Sequence, residues 1–520
     1  MLDWLVVAVP VLPISAAALV GVGIAGGSIA GEHAERRTRN VMLGAVSAAA
    51  VALALVTTYR VIGAIAPQVA LGTWIDSGRH RIALSFTLDR LSLSFAALIA
   101  VLGLTVLRFS VNYMHREPGF HRFFAVLTLF IGAMLLLVLG GNGVVTFAGW
   151  EVAGVCSYLL IAYAYDRPVA TSNATRAFVT NRIGDAGFVL GLVLAFMWCG
   201  DAEWTTVLGS GAKLDMLQRT TLAVCFLVAA MAKSAQVPLT PWVTRAMEGP
   251  TPSSAIFYGA VMIHAGVYLI LRLQPIFEHS PAAMVLLVII GSLTAGYGFF
   301  CGLTQTDVKS ALTFATIGQV GLMFLTCGLG WWEIATAHLF AHTFLRTYQF
   351  LTAPSLMHHV IGKPIRPVPQ WLARRHGLYV ASLQRCWLEQ LAEKWVVRPT
   401  SLLAADLSTF DHKVIERTIG LPVPAVSALS SLAAWEERRL AADAGAGPDT
   451  REVSGLLGFV AHKLASGLYW FEEKLVLQGA GSDLWRAGRQ LGHRMASIEK
   501  LLCRPRYLFL LVLLTLLSVS

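Results

Sequence analysis

Charge is what this sequence has least of. Only 13% of its 520 residues are Asp, Glu, Lys or Arg, while 56% are hydrophobic and the mean hydropathy is +0.64. A soluble chain carries about 25% charged residues, so a water-soluble globular protein is excluded. The alternating short-strand pattern of a membrane barrel is missing as well. No phosphate-cradling G-x-x-x-x-G-K-[ST] loop and no ferredoxin-type cysteine run occur. Neither ATP hydrolysis nor electron carriage by this chain is therefore expected. Its seven cysteines are scattered without a C-x-x-C pair and read as packing thiols, not as a metal or redox site. The net charge of +10 does not point to nucleic acid, because membrane proteins gather Lys and Arg on their cytoplasmic side.

What is present is a series of apolar runs long enough to cross a bilayer, about 20 residues each as helices. Eleven precede residue 355, at roughly 4–28, 41–64, 89–110, 122–139, 144–165, 176–198, 220–244, 253–274, 282–301, 307–328 and 332–353. The expected fold is an all-α polytopic membrane protein. Met1-Leu2-Asp3-Trp4 lacks a basic leader, so the first run is expected to be a retained span. Arginines mark the odd-numbered loops: Arg36, Arg37 and Arg39, then Arg116 and Arg122, then Arg167 and Arg176. That places those loops inside and the N-terminus outside. The second loop, "WIDSGRHRIALSFTLD", alternates polar and apolar residues and reads as a small hairpin. After residue 354 the chain turns basic and amphipathic. In "GLLGFVAHKLASGLYWFEEKLVLQ", Leu457, Val460, Leu464, Leu468, Phe471 and Leu475 share one helical face. Such helices lie on a membrane surface or grip a partner. The final apolar run from Tyr507 is short for a span and reads as an anchor.

Inside the spans stand ionisable residues, each costing roughly 2.5–3.5 kcal/mol at mid-bilayer. Glu151 lies in span five, and Arg182 with Asp185 in span six. Lys233 lies in span seven, His264 in span eight and Lys309 near the start of span ten. His338, His342 and Arg346 repeat every four residues along span eleven. Each residue alone has a structural reading, as a paired carboxylate, a buried ion pair or a satisfied histidine. Taken together they describe a proton or cation path. In "AKSAQVPLTPW", Pro238 and Pro241 are expected to break span seven just after Lys233. A break at membrane depth is tolerated only where protein or water satisfies the freed backbone groups, and half-helix ends there help to bind ions. A Glu–Lys pair on neighbouring helices, Glu151 with Lys233, would be a switchable proton site, and histidines would relay onward. No third ligand accompanies the histidines, so no metal is expected in this chain.

These motifs resemble a known group. "GWEVAGVCSYLLIAYAYDRP", "AFVTNRIGDAGFVLG", "AKSAQVPLTPWVTRAMEGPTPSSAIFYGAVMIHAGVYLILR", "DVKSALTFATIGQVGLMFL" and "AHTFLRTYQFLTAPSLMHH" resemble, in order, the antiporter-like (NuoL-type) membrane subunits of respiratory complex I. The same superfamily includes Mrp-type antiporter subunits. The resemblance implies inverted five-helix repeats that translocate protons. It implies that Glu151 and Lys233 are the conducting pair, that Asp185 belongs to the R-x-G-D stretch, that Lys309 matches the D-[IV]-K stretch, and that His338 and His342 are the eleventh-helix histidines. Tyr258 stands where the family has its eighth-helix histidine, with His264 six residues later, and Arg346 replaces a lysine. The first repeat reads as complete and the second as truncated, without its broken helix.

That shortened form looks like the membrane subunit (DabB) of DAB-type inorganic-carbon transporters. The resemblance implies ion flow, H+ or Na+, coupled to CO2 and bicarbonate uptake. It also implies a large cytoplasmic zinc partner resembling a β-carbonic anhydrase (DabA-like), with the zinc in that partner and no cofactor here. Three segments follow: an antiporter-like membrane domain at 1–354, a cytoplasmic partner-docking region at 355–505 and an apolar anchor at 506–520. The expected home is a bacterial inner membrane. The alternatives are a pumping subunit of a complex I-like quinone- or hydrogenase-linked assembly, and an Mrp-like cation/proton antiporter subunit.

Overall fold

A computed structural model describes residues 3–76, 81–210, 213–359 and 368–410. Helices α1 (Asp3–Ala25) and α2 (Gly31–Val61) come first. A hairpin follows, β1 (Gln68–Asp76) with β2 (Arg81–Thr87), antiparallel from Gln68↔Thr87 to Asp76↔Arg81. This is the hairpin that the alternating second loop predicts. Next run α3 (Arg90–Tyr113), α4 (Phe120–Leu139), α5 (Gly143–Ile161) and α6 (Pro168–Cys199). The short α7 (Trp204–Ser210) leads to α8 (Met216–Lys233) and α9 (Pro241–Arg245). The eighth span is composite: α10 (Thr251–Ser254), a π-helical turn (Ala255–Ala260), a 3-10 turn (Met262–His264) and α11 (Ala265–Arg272). A connector, α12 (Gln274–Glu278), precedes α13 (Pro281–Gly302), α14 (Val308–Gly328) and α15 (Trp332–His359).

Ten of these spans are long and apolar enough to cross a bilayer, so the protein is an all-α multi-pass membrane protein. The eleventh expected span, α15, forms over 28 residues but is not among the ten. Its histidine–arginine stripe makes it too polar. Beyond it, α16 (Gln370–Ala373), α17 (His376–Leu383), α18 (Leu388–Ala392) and a π-helical turn (Glu393–Val397) belong to the same compact unit as the membrane helices. Residues 22–30 and α19 (Arg398–Phe410) fall in a second unit. The amphipathic stretch at 455–478 and the expected anchor at 506–520 lie outside the described residues.

Helix starts follow local chemistry. Asp89, Asn142 and Asp307 cap α3, α5 and α14 by accepting from the backbone three residues on, each at 2.8 Å. Asp215 and Gln218 form a reciprocal capping box on α8. Such caps satisfy amides that hydrocarbon cannot. The hairpin is fastened to the α4–α5 turn. Gly141 donates its N–H to the Ser85 carbonyl at 2.8 Å, and Glu203 accepts from Gln68, Ser85 and Asn142 at 2.8–2.9 Å. At the other end of α11, buried Arg272 pairs with Asp89 and donates to Ser92 at 2.5 Å and to Tyr268 at 2.9 Å.

The interior is inverted relative to a soluble protein only at its rim. The composite eighth span is entirely buried and α4 mostly so, whereas two thirds of α2, α6 and α13 faces the outside. Those outer faces carry Val51, Leu55, Val193, Met197, Val285 and Leu293, which suits lipid as the solvent. Helices pack without a hydrophobic drive in lipid and rely on close contact between small residues. α13 and α14 show this. A Cβ on Gly298 would sit 2.4 Å from the Gly318 nitrogen, and one on Gly291 2.4 Å from the Leu325 nitrogen, while Gly296 faces open space. Gly298→Ala should therefore cost about 1–3 kcal/mol, read as a lower thermal midpoint in detergent, and Gly296→Ala should leave the midpoint unchanged. Equal midpoints for both variants would contradict this packing.

Candidate functional site

The break after Lys233 is real. α8 ends at Lys233, Ala235 takes a positive φ of 50°, the Val237–Pro238 bond is cis, and α9 starts at Pro241. The exposed backbone ends find partners. Trp242 Nε1 donates to the Ala232 carbonyl at 2.9 Å, Gln236 Nε2 to the Ser234 carbonyl at 2.9 Å, and the Val237 N–H to Thr294 Oγ1 at 3.0 Å. Every residue from Ala232 to Gln236 is buried. A Cβ on Gly266 would lie 2.3 Å from the Ala230 carbonyl oxygen, so only glycine lets α11 touch the broken end.

Around Lys233 the structure assembles four charges from three helices. Arg182 on α6 stands between two carboxylates. Its Nη1 donates to Glu151 Oε2, and its Nη2 lies 2.8 Å from Asp185 Oδ2. Trp150, beside Glu151 on α5, donates Nε1–H to Asp185 Oδ1 at 2.7 Å. Lys233 is fully buried. Its Nζ donates to the Trp150 carbonyl at 3.1 Å and lies 5.0 Å from the centre of the Trp150 ring. Glu151 and Lys233, read from the sequence as a pair on neighbouring helices, stand in one cluster without a direct ion pair: Arg182 is the partner of Glu151, and the ammonium rests on a backbone carbonyl and an indole face. The reason is reach. Arg182, three residues before Asp185 on one helix face, presents a planar fork able to hold two carboxylates.

Two glycines, unremarked in the sequence reading, make the cluster possible. A Cβ on Gly154 would meet Lys233 Nζ at 3.1 Å, and one on Gly184 would meet the Ala232 Cβ at 2.4 Å. Gly184 lies inside the R-x-G-D stretch and lets α6 lie directly on α8. Trp150 was missed too, although its place next to Glu151 in "GWE" was the available signal. With all four groups ionised, two negative charges balance two positive ones. Glu151 Oε1 is buried without a hydrogen-bond partner, an acceptor left open for a proton, an ion or a water.

The histidines form a second cluster. His342 Nδ1 and His264 Nε2 are 3.0 Å apart, and Arg346 Nε donates to His342 Nε2 at 3.1 Å. Arginine only donates, so His342 Nε2 accepts and its Nδ1 carries the proton. His264 Nε2 then accepts in turn, and its Nδ1–H points to the Ala260 carbonyl. The line from Arg346 to His342, His264 and Ala260 has one direction, with both rings neutral. His338 bonds Gln319 of α14 at 2.8 Å, and its ring lies 6.0 Å from that of His342. The irregular eighth span explains His264. Its π-helical and 3-10 turns shift the helix phase, so His264 faces α15 while Tyr258 meets Trp242 edge-on with ring centres 5.9 Å apart.

The two clusters are not bridged by side chains among the described residues. Their neighbours touch, Ser234 Oγ donating to the Ile263 carbonyl at 2.6 Å. Lys309 joins neither cluster. It is half-buried in the first turn of α14 and makes no side-chain hydrogen bond or ion pair among the described residues. No group of three or more metal-ligating side chains occurs among the described residues. One expectation for the thiols fails: Cys386 is exposed, whereas Cys156, Cys225, Cys301 and Cys327 are buried.

A broken helix thus carries a buried lysine beside paired carboxylates within a multi-pass membrane protein. Comparison with known proteins is specific. Residues 140–364 match the family described as "NADH:quinone oxidoreductase/Mrp antiporter, TM", and residues 74–124 match "NADH-Ubiquinone oxidoreductase (complex I), chain 5 N-terminus". Over these residues the membrane region is thus similar to antiporter-like membrane subunits. It is 40% identical over 288 residues to NADH-quinone oxidoreductase subunit L of Mycobacterium tuberculosis, covering 55% of this chain and 46% of that one. It is 34% identical to NAD(P)H-quinone oxidoreductase chain 5 of Synechocystis, covering 69% and 53%. The chain spans about half the length of these curated relatives. A structure of the Mrp complex from Dietzia superposes with TM-score 0.59 at 26% identity, over 69% of this chain and 38% of that one. An archaeal membrane-bound sulfane sulfur reductase shares the fold, with TM-score 0.58 at 19% identity.

Two measurements follow from the geometry. Trp150→Phe keeps the ring but removes the hydrogen bond to Asp185. It should cost about 1.5–3 kcal/mol, the value of a bond to a charged acceptor, seen as a lower thermal midpoint; an unchanged midpoint would mean that Asp185 does not need it. At the far end of the break, Glu389 of α18 accepts from Arg245 of α9 at 2.5 Å and from Arg385 at 2.5 Å. Burial pushes the Glu389 carboxyl up, but its hydrogen bonds to Arg245 and Arg385 outweigh this and hold it below its usual value. A depressed carboxylate stabilises the fold above its unfolded value and loses that contribution as pH falls through the folded one. Protease cleavage within 368–397 should therefore stay slow at neutral pH and rise only below the ordinary carboxylate range. In Glu389→Gln it should be fast already at pH 7.

Proposed function

We propose that this chain is an ion-translocating subunit, moving H+ or Na+, within a larger membrane assembly. The observation that carries the reading is the balanced cluster of Glu151, Arg182, Asp185 and Lys233, with one carboxylate oxygen left unpartnered beside a broken helix. An ion arriving at Glu151 releases Arg182 to Asp185, and Lys233 answers by shedding or regaining its proton. The cluster thus changes charge by one unit at a time, which keeps the burial cost small. The directed histidine line supplies the next acceptor, reached through water or small movements at the Ser234–Ile263 contact. Arg346 holds the His342 tautomer and exchanges no proton itself.

The relatives belong to complex I, Mrp and sulfane sulfur reductase assemblies, which favours a complex I-like or Mrp-like setting with several membrane partners. The inorganic-carbon reading, with its zinc partner, rests on the DAB-type resemblance and on the region after residue 355, most of which lies outside the described residues. The proposed topology keeps the N-terminus outside and residues 355–505 in the cytoplasm of a bacterial inner membrane.

Proton or sodium uptake into inverted membrane vesicles tests the ion path. Lys233→Ala and Glu151→Gln should each lower it by about 10²-fold with the complex still assembled. Full uptake in either variant would sink the assignment. Companions retained in mild detergent decide the setting: flavin, iron–sulfur or further antiporter-like chains mean a redox- or gradient-driven complex, and one large soluble zinc protein means carbon uptake.

A further inference from the structure

One cavity among the described residues shares no lining residue with either cluster. It has a volume of about 870 Å³ and opens between the starts of α2 and α4 and the end of α3. Glu32, Glu35, Arg36, Arg39, Asn112 and His115 contribute its polar lining. The acids are already committed. Glu35 is buried and accepts from His115 Nδ1 at 2.8 Å and the Arg116 N–H at 3.0 Å, and Glu32 accepts from Arg116 Nε at 3.0 Å. The bases are not. Arg36 makes no hydrogen bond or ion pair among the described residues, and Arg39 binds only the neutral Asn40 side chain, at 3.1 Å. The free charge of the cavity is therefore positive.

A second observation points the same way. Arg108 stands in the apolar span α3, one turn before Asn112 and on the same face. It is exposed and has no hydrogen-bond or ion-pair partner among the described residues. An arginine pointing outward from a span within two turns of its end extends to the headgroup level, where phosphate is the available counter-charge. Basic pockets between membrane helices suit anionic headgroups for the same reason. The fork of a guanidinium matches two phosphate oxygens.

We propose that this cavity is a binding site for the phosphate of an anionic phospholipid, held by Arg36 and Arg39 inside the pocket, with Arg108 gripping the lipid from the bilayer side. The Glu35–His115 and Glu32–Arg116 contacts occupy the acids of the cavity and leave Arg36 and Arg39 on its lining for the phosphate. The site is separate from the ion path.

The test uses the full chain in nanodiscs of equimolar phosphatidylglycerol and phosphatidylcholine, with retained lipid counted by native mass spectrometry. Phosphatidylglycerol should be retained selectively. The double variant Arg36→Gln/Arg39→Gln should lose it on the order of tenfold, and Arg108→Gln should lose it in part. Arg37→Gln removes the same charge one residue outside the pocket and should retain lipid as the native chain does. Equal loss in Arg37→Gln, or equal retention of phosphatidylcholine by the native chain, would overturn the site in favour of a diffuse basic surface. Displacement of the lipid by inorganic phosphate alone would overturn the lipid in favour of a free anion. If the double variant does not fold, the comparison of the two lipids on the native chain still decides.

Discussion

Everything in this membrane region depends on one constraint: hydrocarbon satisfies neither a charge nor a broken backbone. The chain places both at the end of α8, where Lys233 and its neighbours from Ala232 to Gln236 are buried just before the turn through Pro238 and Pro241. The surrounding structure exists to make that tolerable. Trp242 reaches back from α9 to the Ala232 carbonyl, Thr294 of α13 meets the Val237 amide, and Ser234 is held against the eighth span. Charges are satisfied in the same economical way, one arginine between two carboxylates and one indole serving Asp185 through its N–H while its backbone carbonyl and ring receive Lys233.

Close approach is the second requirement. Gly184 and Gly266 each stand where a methyl group would collide with a neighbouring helix, and Gly154 where one would crowd the end of Lys233. Without them α6, α8 and α11 would stand too far apart for side chains to meet. The glycine contacts between α13 and α14 repeat the device away from the site. Packing and chemistry are thus one design here, since small residues bring the polar groups into range and the polar groups then justify burying the helices.

The irregular eighth span touches both clusters, accepting from Ser234 beside Lys233 through the Ile263 carbonyl and meeting His342 through His264. Its π-helical and 3-10 turns rotate His264 toward α15, where His342 and Arg346 fix its tautomer. Tyr258, at the position where the resemblance expects histidine, packs on Trp242 of the broken helix instead. The histidine contact to α15 is thus made by a different residue of the same span. The segment after α15 reaches the break from the other side, through Glu389 on Arg245.

The sequence by itself determined the class of protein and much of the site. Hydropathy marked the spans, two prolines marked the break, and ionisable residues in apolar runs marked where chemistry must lie, because each is too costly to keep without a purpose. Those are local properties, legible one helix at a time. Which charge meets which was decided by tertiary structure alone. Nothing in the spacing says that Arg182 rather than Lys233 holds Glu151, that Trp150 serves both Asp185 and the lysine, or that His264 replaces Tyr258 in the histidine line. Those pairings depend on helix rotation, on glycine-controlled separations and on one π-helical turn, and such distances are fixed only when neighbouring helices pack.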